Sequence, residues 1–381
     1  MQGDSPVHHR RPTNKAALAA PLVSVVIPAY NCAHTVAETI ESCLAQDYED
    51  LEILVVNDGS TDGTAEVLAS FGSRIKVINQ LNGGLAAARN AGQRAASGKY
   101  IAWMDADDLM LPGRVRLQAE LLASQPTIGL VSSDFSAFTS PEADYDPSHM
   151  ANYYDAVVRL GGVYRVYPHE LASMKSDGRT VIVRSGDVYE GLVWGNFVHP
   201  PTIMVRRTVL EEAGFSDEHL RYSSDYELIL RMSRRTRFAY VDAPLLRYRR
   251  SAGQMSHLHA GATMQLETVH IIEKLRRDDP EVFTRMKPVF LLRRAESFIH
   301  AAESIGSADR IRAMGLLVRG LQSKLLAGPA AFALGRIVVS PAVLQAIKHA
   351  LRALGLRWVV LACAALWGDG GGLWSLGAEL I

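Results

Sequence analysis

The sequence predicts an α/β protein, a mostly parallel sheet with helices on both faces, followed by a C-terminal helical region. Three observations predict it. Short continuous apolar runs occur at residues 22–27, 51–56, 75–78 and 100–104; helix-period segments separate them; and beyond about residue 256 the helical period dominates. Continuous apolar runs of this length suit strands covered on both faces.

The first run stops at Pro28, and the next segment places Val36, Ile40, Cys43 and Leu44 on one helical face. The second, third and fourth runs are each expected to be buried on both faces. In a sheet of this kind ligands bind beyond the carboxyl ends of the strands. That rule directs attention to residues 28–31, 57–63, 82–84 and 105–108. From about 140 to 196 the pattern loosens into a polar, tyrosine-bearing insertion with short apolar groups such as 181–183. Strand character resumes at 202–205 and 238–241, with a helical segment at 225–232 between them. Helices are then expected at 290–305 and 308–321. The expected division is a leader at 1–20, an α/β domain at 21–256 with 140–196 as an insertion, and a helical region at 257–381.

Forty basic residues balance forty acidic ones among 381, which argues against a general nucleic-acid binder. Three cysteines, Cys32, Cys43 and Cys363, make no disulfide framework and show no metal-ligand spacing, so a reducing compartment is the simpler reading. The leader lacks the apolar core of a secretory signal. Near the other end, Leu344, Ile347, Leu351 and Leu354 recur at helical spacing, flanked by Lys348 and Arg352 with His349 opposite. An interfacial helix has this pattern, and burial against the α/β domain accounts for it equally well. The apolar run 358–368 falls short of the roughly 20 residues of a membrane span. The expectation is a cytoplasmic protein with peripheral contact on the inner face of the membrane.

The strongest chemical signal is Asp105-Ala106-Asp107-Asp108, directly after the fourth run. Carboxylates crowded at a strand end repel one another unless a cation intervenes, and oxygen-only ligands suit Mg²⁺ or Mn²⁺. A solvated turn, or a cap for the helix after Pro112, explains the same residues. Asn57-Asp58-Gly59-Ser60-Thr61-Asp62-Gly63 has the composition of an ordinary turn, yet Asp58 is placed to contact a nucleobase or ribose. Asn82-Gly83-Gly84 opens a helix bearing Arg89 and Asn90, a start that can hold phosphate. Arg89 faces a diphosphate in one reading and is a surface or buried-pair arginine in the other. Asp225 and Glu227 begin a helix, where a carboxylate serves as a cap or as a general base at a pocket rim.

Together these stretches, with Val25-Val26-Ile27-Pro28-Ala29-Tyr30-Asn31 ahead of them and Ala88-Arg89-Asn90-Ala91-Gly92 among them, resemble the family 2 glycosyltransferases, whose fold is the GT-A nucleotide-diphospho-sugar transferase fold. The resemblance covers about residues 23–256. It implies that Pro28, Ala29 and Tyr30 form the donor-base pocket and that Asp58 contacts the base. Asp105 would meet the ribose and metal region, and Asp107 would ligate the metal. Asp225 is similar to the acceptor-side base, with Ser224 before it where the family commonly has Glu. The stretch 246–256 resembles a closing loop over the diphosphate, with Ser251 where histidine is frequent. The implied reaction moves a sugar, with inversion, from a nucleotide-diphosphate sugar such as a UDP-sugar to the hydroxyl of a glycan, lipid-linked or other acceptor, in cell-surface glycan or polysaccharide synthesis. The rivals are a non-catalytic sugar-nucleotide-binding protein and a sugar nucleotidyltransferase. The latter needs a glycine-rich basic loop after the first strand, where this chain has Pro28-Ala29-Tyr30-Asn31.

Overall fold

The computed structural model describes residues 21–140, 143–146, 150–176, 178–251, 261–305 and 309–327. The leader, the stripe at 344–354, the run 358–368 and Met255-Ser256 lie outside these described residues. The strands are β1 (Val23–Ala29), β2 (Leu51–Asp58), β3 (Lys76–Gln80), β4 (Tyr100–Trp103), β5 (Leu109–Met110), β6 (Ile128–Ser140), β7 (Ala143–Asp146), β8 (His169–Ser176), β9 (Arg179–Gly186), β10 (Met204–Arg206) and β11 (Arg237–Arg249). The helices are α1 (Val36–Leu44), α2 (Thr64–Ser70), α3 (Leu85–Ala95), α4 (Arg114–Ser124), α5 (Met150–Tyr153), α6 (Asp155–Arg159), α7 (Val163–Val166), α8 (Tyr189–Val193), α9 (Arg207–Ala213), α10 (Ser224–Ser233), α11 (Gly261–Asp278), α12 (Pro280–Arg285), α13 (Lys287–Ile305) and α14 (Arg310–Ala327).

One sheet runs β3-β2-β1-β4-β10-β6-β11-β9-β8, with β5 pairing β11 and β7 pairing β6. Its first four strands are parallel, as the buried apolar runs require. β10 then enters antiparallel between β4 and β6, and β11 lies parallel to β6. β1 and β4 are buried along their whole length, whereas β3 is the sheet edge and leaves Lys76, Val77 and Asn79 exposed. The expectation that all four runs are covered on both faces therefore fails at β3, because an edge strand has a neighbour on one side only. The loose stretch 140–196 contains a hairpin, β8 and β9, that extends the sheet beyond β11.

α3 packs on β1 and β2. Gly92 makes that approach close enough: a β-carbon there would lie 2.4 Å from Val26 Cγ1 and 3.1 Å from Val56 Cγ2. Overpacking of this kind costs about 1–3 kcal/mol, against a helix-propensity gain of about 1 kcal/mol from replacing glycine by alanine. Gly92→Ala is expected to lower Tm by a few degrees in a thermal melt; an unchanged or raised Tm would refute the contact.

The main core is continuous from the sheet into the C-terminal helices, where Ile271, Ile272, Leu275, Val282, Val289 and Phe290 join it. α13 and α14 close a second, smaller cluster around Phe298, Ile299 and Leu317. No helix among the described residues is long and apolar enough to cross a membrane.

Candidate functional site

β1 and β2 end side by side, and their polar ends are knitted together. Asn31, in the left-handed region at φ 49°, accepts the Thr61 amide at 2.8 Å and donates its own amide to Ser60 Oγ at 3.1 Å. Asp62 accepts the Ala33 amide and the Thr64 amide and hydroxyl, and those bonds, the Thr64 hydroxyl first, hold its carboxyl below its ordinary value. Pro28 and Ala29 close the buried strand, while the Tyr30 ring stands 51% exposed just beyond it. A large aromatic surface left in solvent at a strand end is a platform on which a planar base can stack.

Asp58 is buried on β2 and accepts Gln80 Nε2 at 2.7 Å, the Gly83 amide at 2.8 Å and the Gly84 amide at 2.9 Å. The two glycine amides proposed from sequence for phosphate are thus given to this carboxylate. Gly84, at φ 87°, makes the turn that lets α3 start beside it. A carboxylate offers about four acceptor positions, so three bonds leave Asp58 little capacity beyond holding this loop.

The Asp105 to Asp108 turn follows β4. The cap alternative fails, since α4 starts after Gly113 without a side-chain capping bond. Asp105 is about one-third exposed and accepts Arg89 Nη2 at 2.9 Å. Asp108 turns inward, fully buried, with Oδ1 on the Arg249 amide at 2.9 Å; burial first, then Asp107 and Asp105, pushes its carboxyl well above the ordinary range. Of the three carboxylates crowded at this strand end, Asp105 and Asp107 are partly exposed and Asp108 is not. Arg249 also donates to the Asp107 carbonyl at 2.7 Å and to Glu38 at 2.5 Å, pinning the turn from β11. Residues 246–249, expected within a closing loop, instead lie in β11, where Leu246 and Arg247 pair with β5. Beneath the turn, buried Arg114 holds the Trp103 and Ile203 carbonyls.

No group of three or more acidic, histidine or cysteine side chains converges on one point among the described residues. Asp107, expected to ligate the metal, and Asp105 beside it offer oxygen donors only, the chemistry that suits Mg²⁺ or Mn²⁺.

Arg89 joins this turn to a distant helix. It is 1% exposed, its guanidinium lies 5.0 Å over the Trp103 ring, and Nε and Nη1 have no hydrogen-bond partner among the described residues. The same cation attracts Asp225, half-buried at the start of α10, while desolvation outweighs that attraction and pushes the Asp225 carboxyl up. Residues 89, 105 and 225 therefore share one electrostatic environment. Glu227 is elsewhere: it is buried and bonded to Arg231 at 2.7 Å and Lys274 at 2.5 Å.

His199 is buried, stacks on Phe135 at 3.9 Å and shares a 2.9 Å hydrogen bond between Nδ1 and the Tyr154 hydroxyl. Burial first, with Tyr153 and Asp225 adding, raises Tyr154 well above its usual value and keeps the phenol protonated. Tyr153 and Tyr248 complete this aromatic wall. Arg114 and Tyr154 carry no local motif, and sequence reading missed their roles; Arg249 fell within the stretch read as a closing loop, but its hold on the acidic turn was not foreseen.

The family model of glycosyl transferase family 2 matches residues 24–182. A glycosyltransferase of Rickettsia prowazekii, uncharacterised, is 29% identical over 243 residues, 64% of this chain and 68% of that protein. Chondroitin synthase of Pasteurella multocida is 38% identical over 138 residues, 35% of this chain and only 14% of the synthase. S. aureus TarS residues 1–349 share the fold, with TM-score 0.56 at 16% identity over 82% of this chain and 83% of that one; its complex with UDP-GlcNAc superposes with TM-score 0.50 over 80% and 90%.

Proposed function

We propose, from the premise that residues 24–182 place this chain among the family 2 glycosyltransferases, that it transfers a sugar from a nucleotide-diphosphate sugar to an acceptor hydroxyl with inversion. The observation that carries this reading is Arg89. A buried guanidinium with two nitrogens that find no partner among the described residues, bonded to Asp105 and attracting Asp225, links the end of β4 to a carboxylate 136 residues beyond Arg89 in the chain. Leaving such donors unpaired in a protein interior is costly, and anionic donor oxygens would satisfy them.

In this reading Pro28, Ala29 and Tyr30 line the base pocket, and Asp58 holds the 83–84 loop against it. Asp107 would hold Mg²⁺ or Mn²⁺, with Asp105 beside it toward the ribose, and the ion would supply positive charge beside the leaving diphosphate. Asp225 takes the proton of the acceptor hydroxyl as its oxygen attacks the anomeric carbon and the bond to the diphosphate breaks on the opposite face. The aromatic wall of Tyr153, Tyr154, His199 and Tyr248 borders the acceptor side. Product formation belongs to cell-surface glycan or polysaccharide synthesis, with a glycan, lipid-linked or other hydroxyl acceptor.

The test is nucleotide-diphosphate release from a panel of donors with Mn²⁺, UDP-GlcNAc first because the similar TarS structure binds it, with and without candidate acceptors. Acceptor-dependent release is expected. Donor binding without release under any condition would mark a non-catalytic binding protein, and formation of a sugar nucleotide from a nucleoside triphosphate would mark a nucleotidyltransferase. Peripheral membrane contact is proposed for the stripe at Leu344, Ile347, Leu351 and Leu354; the full chain is expected to float with anionic liposomes, and failure to float removes that proposal.

A further inference from the structure

The helix α10 carries Asp225 but lacks a local cap: Ser223 stands at its N-terminus without a side-chain capping bond. The first amides of a helix have no internal partners and carry the positive end of its dipole, and a nearby serine, threonine or aspartate ordinarily satisfies them. In α10 the first-turn amides are those of Ser224, Asp225 and Tyr226, and Asp225 itself meets the last of them; the N-cap amide and the two ahead of it are held by a residue 44 positions beyond Ser223. Glu267 on α11, nearly buried, takes three consecutive amides: Arg221 at 2.7 Å on Oε1, and Tyr222 and Ser223 at 2.9 Å each on Oε2. These are charge-assisted bonds, stronger than neutral ones. Two turns along the same helix, Lys274 bonds Glu227 at 2.5 Å. α11 thus grips the chain on both sides of Asp225. Asp225 itself is tied locally through Oδ1, which accepts the Tyr226 amide at 2.6 Å.

We propose that Glu267 is a positioning residue for the acceptor-side base: by locking the backbone at 221–223 it sets where the Asp225 carboxylate stands relative to the acceptor hydroxyl. The inference rests on the reading of Asp225 as base. It makes α11 a working part of the site, although it lies beyond the segment the family model matches. Glu267 touches no reacting atom. Its effect arises because proton abstraction is sensitive to sub-ångström placement, and a misplacement of about 1 Å can cost 10²-fold.

The test is a double-mutant cycle in the full chain. Glu267→Gln is nearly isosteric but turns one acceptor oxygen into an amide donor facing backbone N–H groups. It is expected to lower kcat for transfer by about 10- to 100-fold and leave donor Kd within about 2-fold, because the donor residues lie on other elements. Glu267→Asp keeps the charge and is expected to lose less; it also serves if the glutamine variant does not fold. Amide hydrogen exchange at 221–223 should quicken in both variants while α3 stays protected. In the Asp225→Asn background, Glu267→Gln should cost no further factor in residual transfer. Loss of the same factor in both backgrounds, or unchanged kcat in the wild-type background, overturns the inference. If Asp225→Asn alone keeps normal turnover, the base assignment falls and takes this inference with it, a failure visible without any Glu267 variant.

Discussion

Asp225→Asn is expected to lower glycosyl transfer by about 10²- to 10⁴-fold while donor affinity stays nearly constant. An acceptor hydroxyl is a poor nucleophile at neutral pH and needs a carboxylate within hydrogen-bond reach. Asp105 and Asp107 are assigned to the donor in the proposed mechanism, Asp108 is buried against the Arg249 amide, and Glu227 is locked between Arg231 and Lys274. Asp225 remains. Burial raises its carboxyl, with Arg89 opposing that rise. The base form exists only above that pKa, so the acid limb of kcat/KM against pH should lie above the ordinary aspartate value of about 3.9, and activity should fall as pH drops through it. The asparagine variant should lose that limb. Near-normal turnover in Asp225→Asn, with loss in Glu227→Gln, would exchange the two roles; weak donor binding in both would move α10 to the donor site or the scaffold.

Asp107→Asn is expected to abolish most of the metal-dependent gain in donor affinity, a loss of at least about 10-fold, because the ligand gives up its charge with little change of shape. The backbone at 107 is held independently by Arg249 through its carbonyl, so the turn should keep its course. Calorimetry of donor binding with Mn²⁺ and after chelation is the measurement. Wild type stripped of metal and the variant with metal should converge. Donor affinity unchanged in the variant in Mn²⁺ would remove Asp107 from the metal site.

Much of this arrangement was legible in the sequence. The apolar runs that became β1, β2 and β4 announced themselves because parallel central strands are buried on both faces. Their polar ends, Tyr30, Asp58 and Asp105, stood out for the same reason, since the switch from apolar to polar marks where a strand leaves the core. β3 misled because periodicity reports apolar character and carries no information about which strand lies at the edge. The hairpin of β8 and β9 was missed because its partner, β11, lies more than fifty residues further on and its residues are polar on one face.

The sequence by itself determined the α/β class, the order of strand and helix, and the turns in which carboxylates gather, because these follow from local hydrophobic period and turn chemistry. Only the tertiary structure decided what each carboxylate does. Asp58 became a loop holder because the Gly83 and Gly84 amides meet it. Asp108 turned inward because a β11 amide awaited it, and Glu227 was taken by a lysine 47 residues away. The segment 221–223 leading into α10 is held from α11 by Glu267. Each outcome depends on a backbone amide or side chain distant in sequence, and an amide looks the same at every position until the chain folds and brings one particular donor to one particular acceptor.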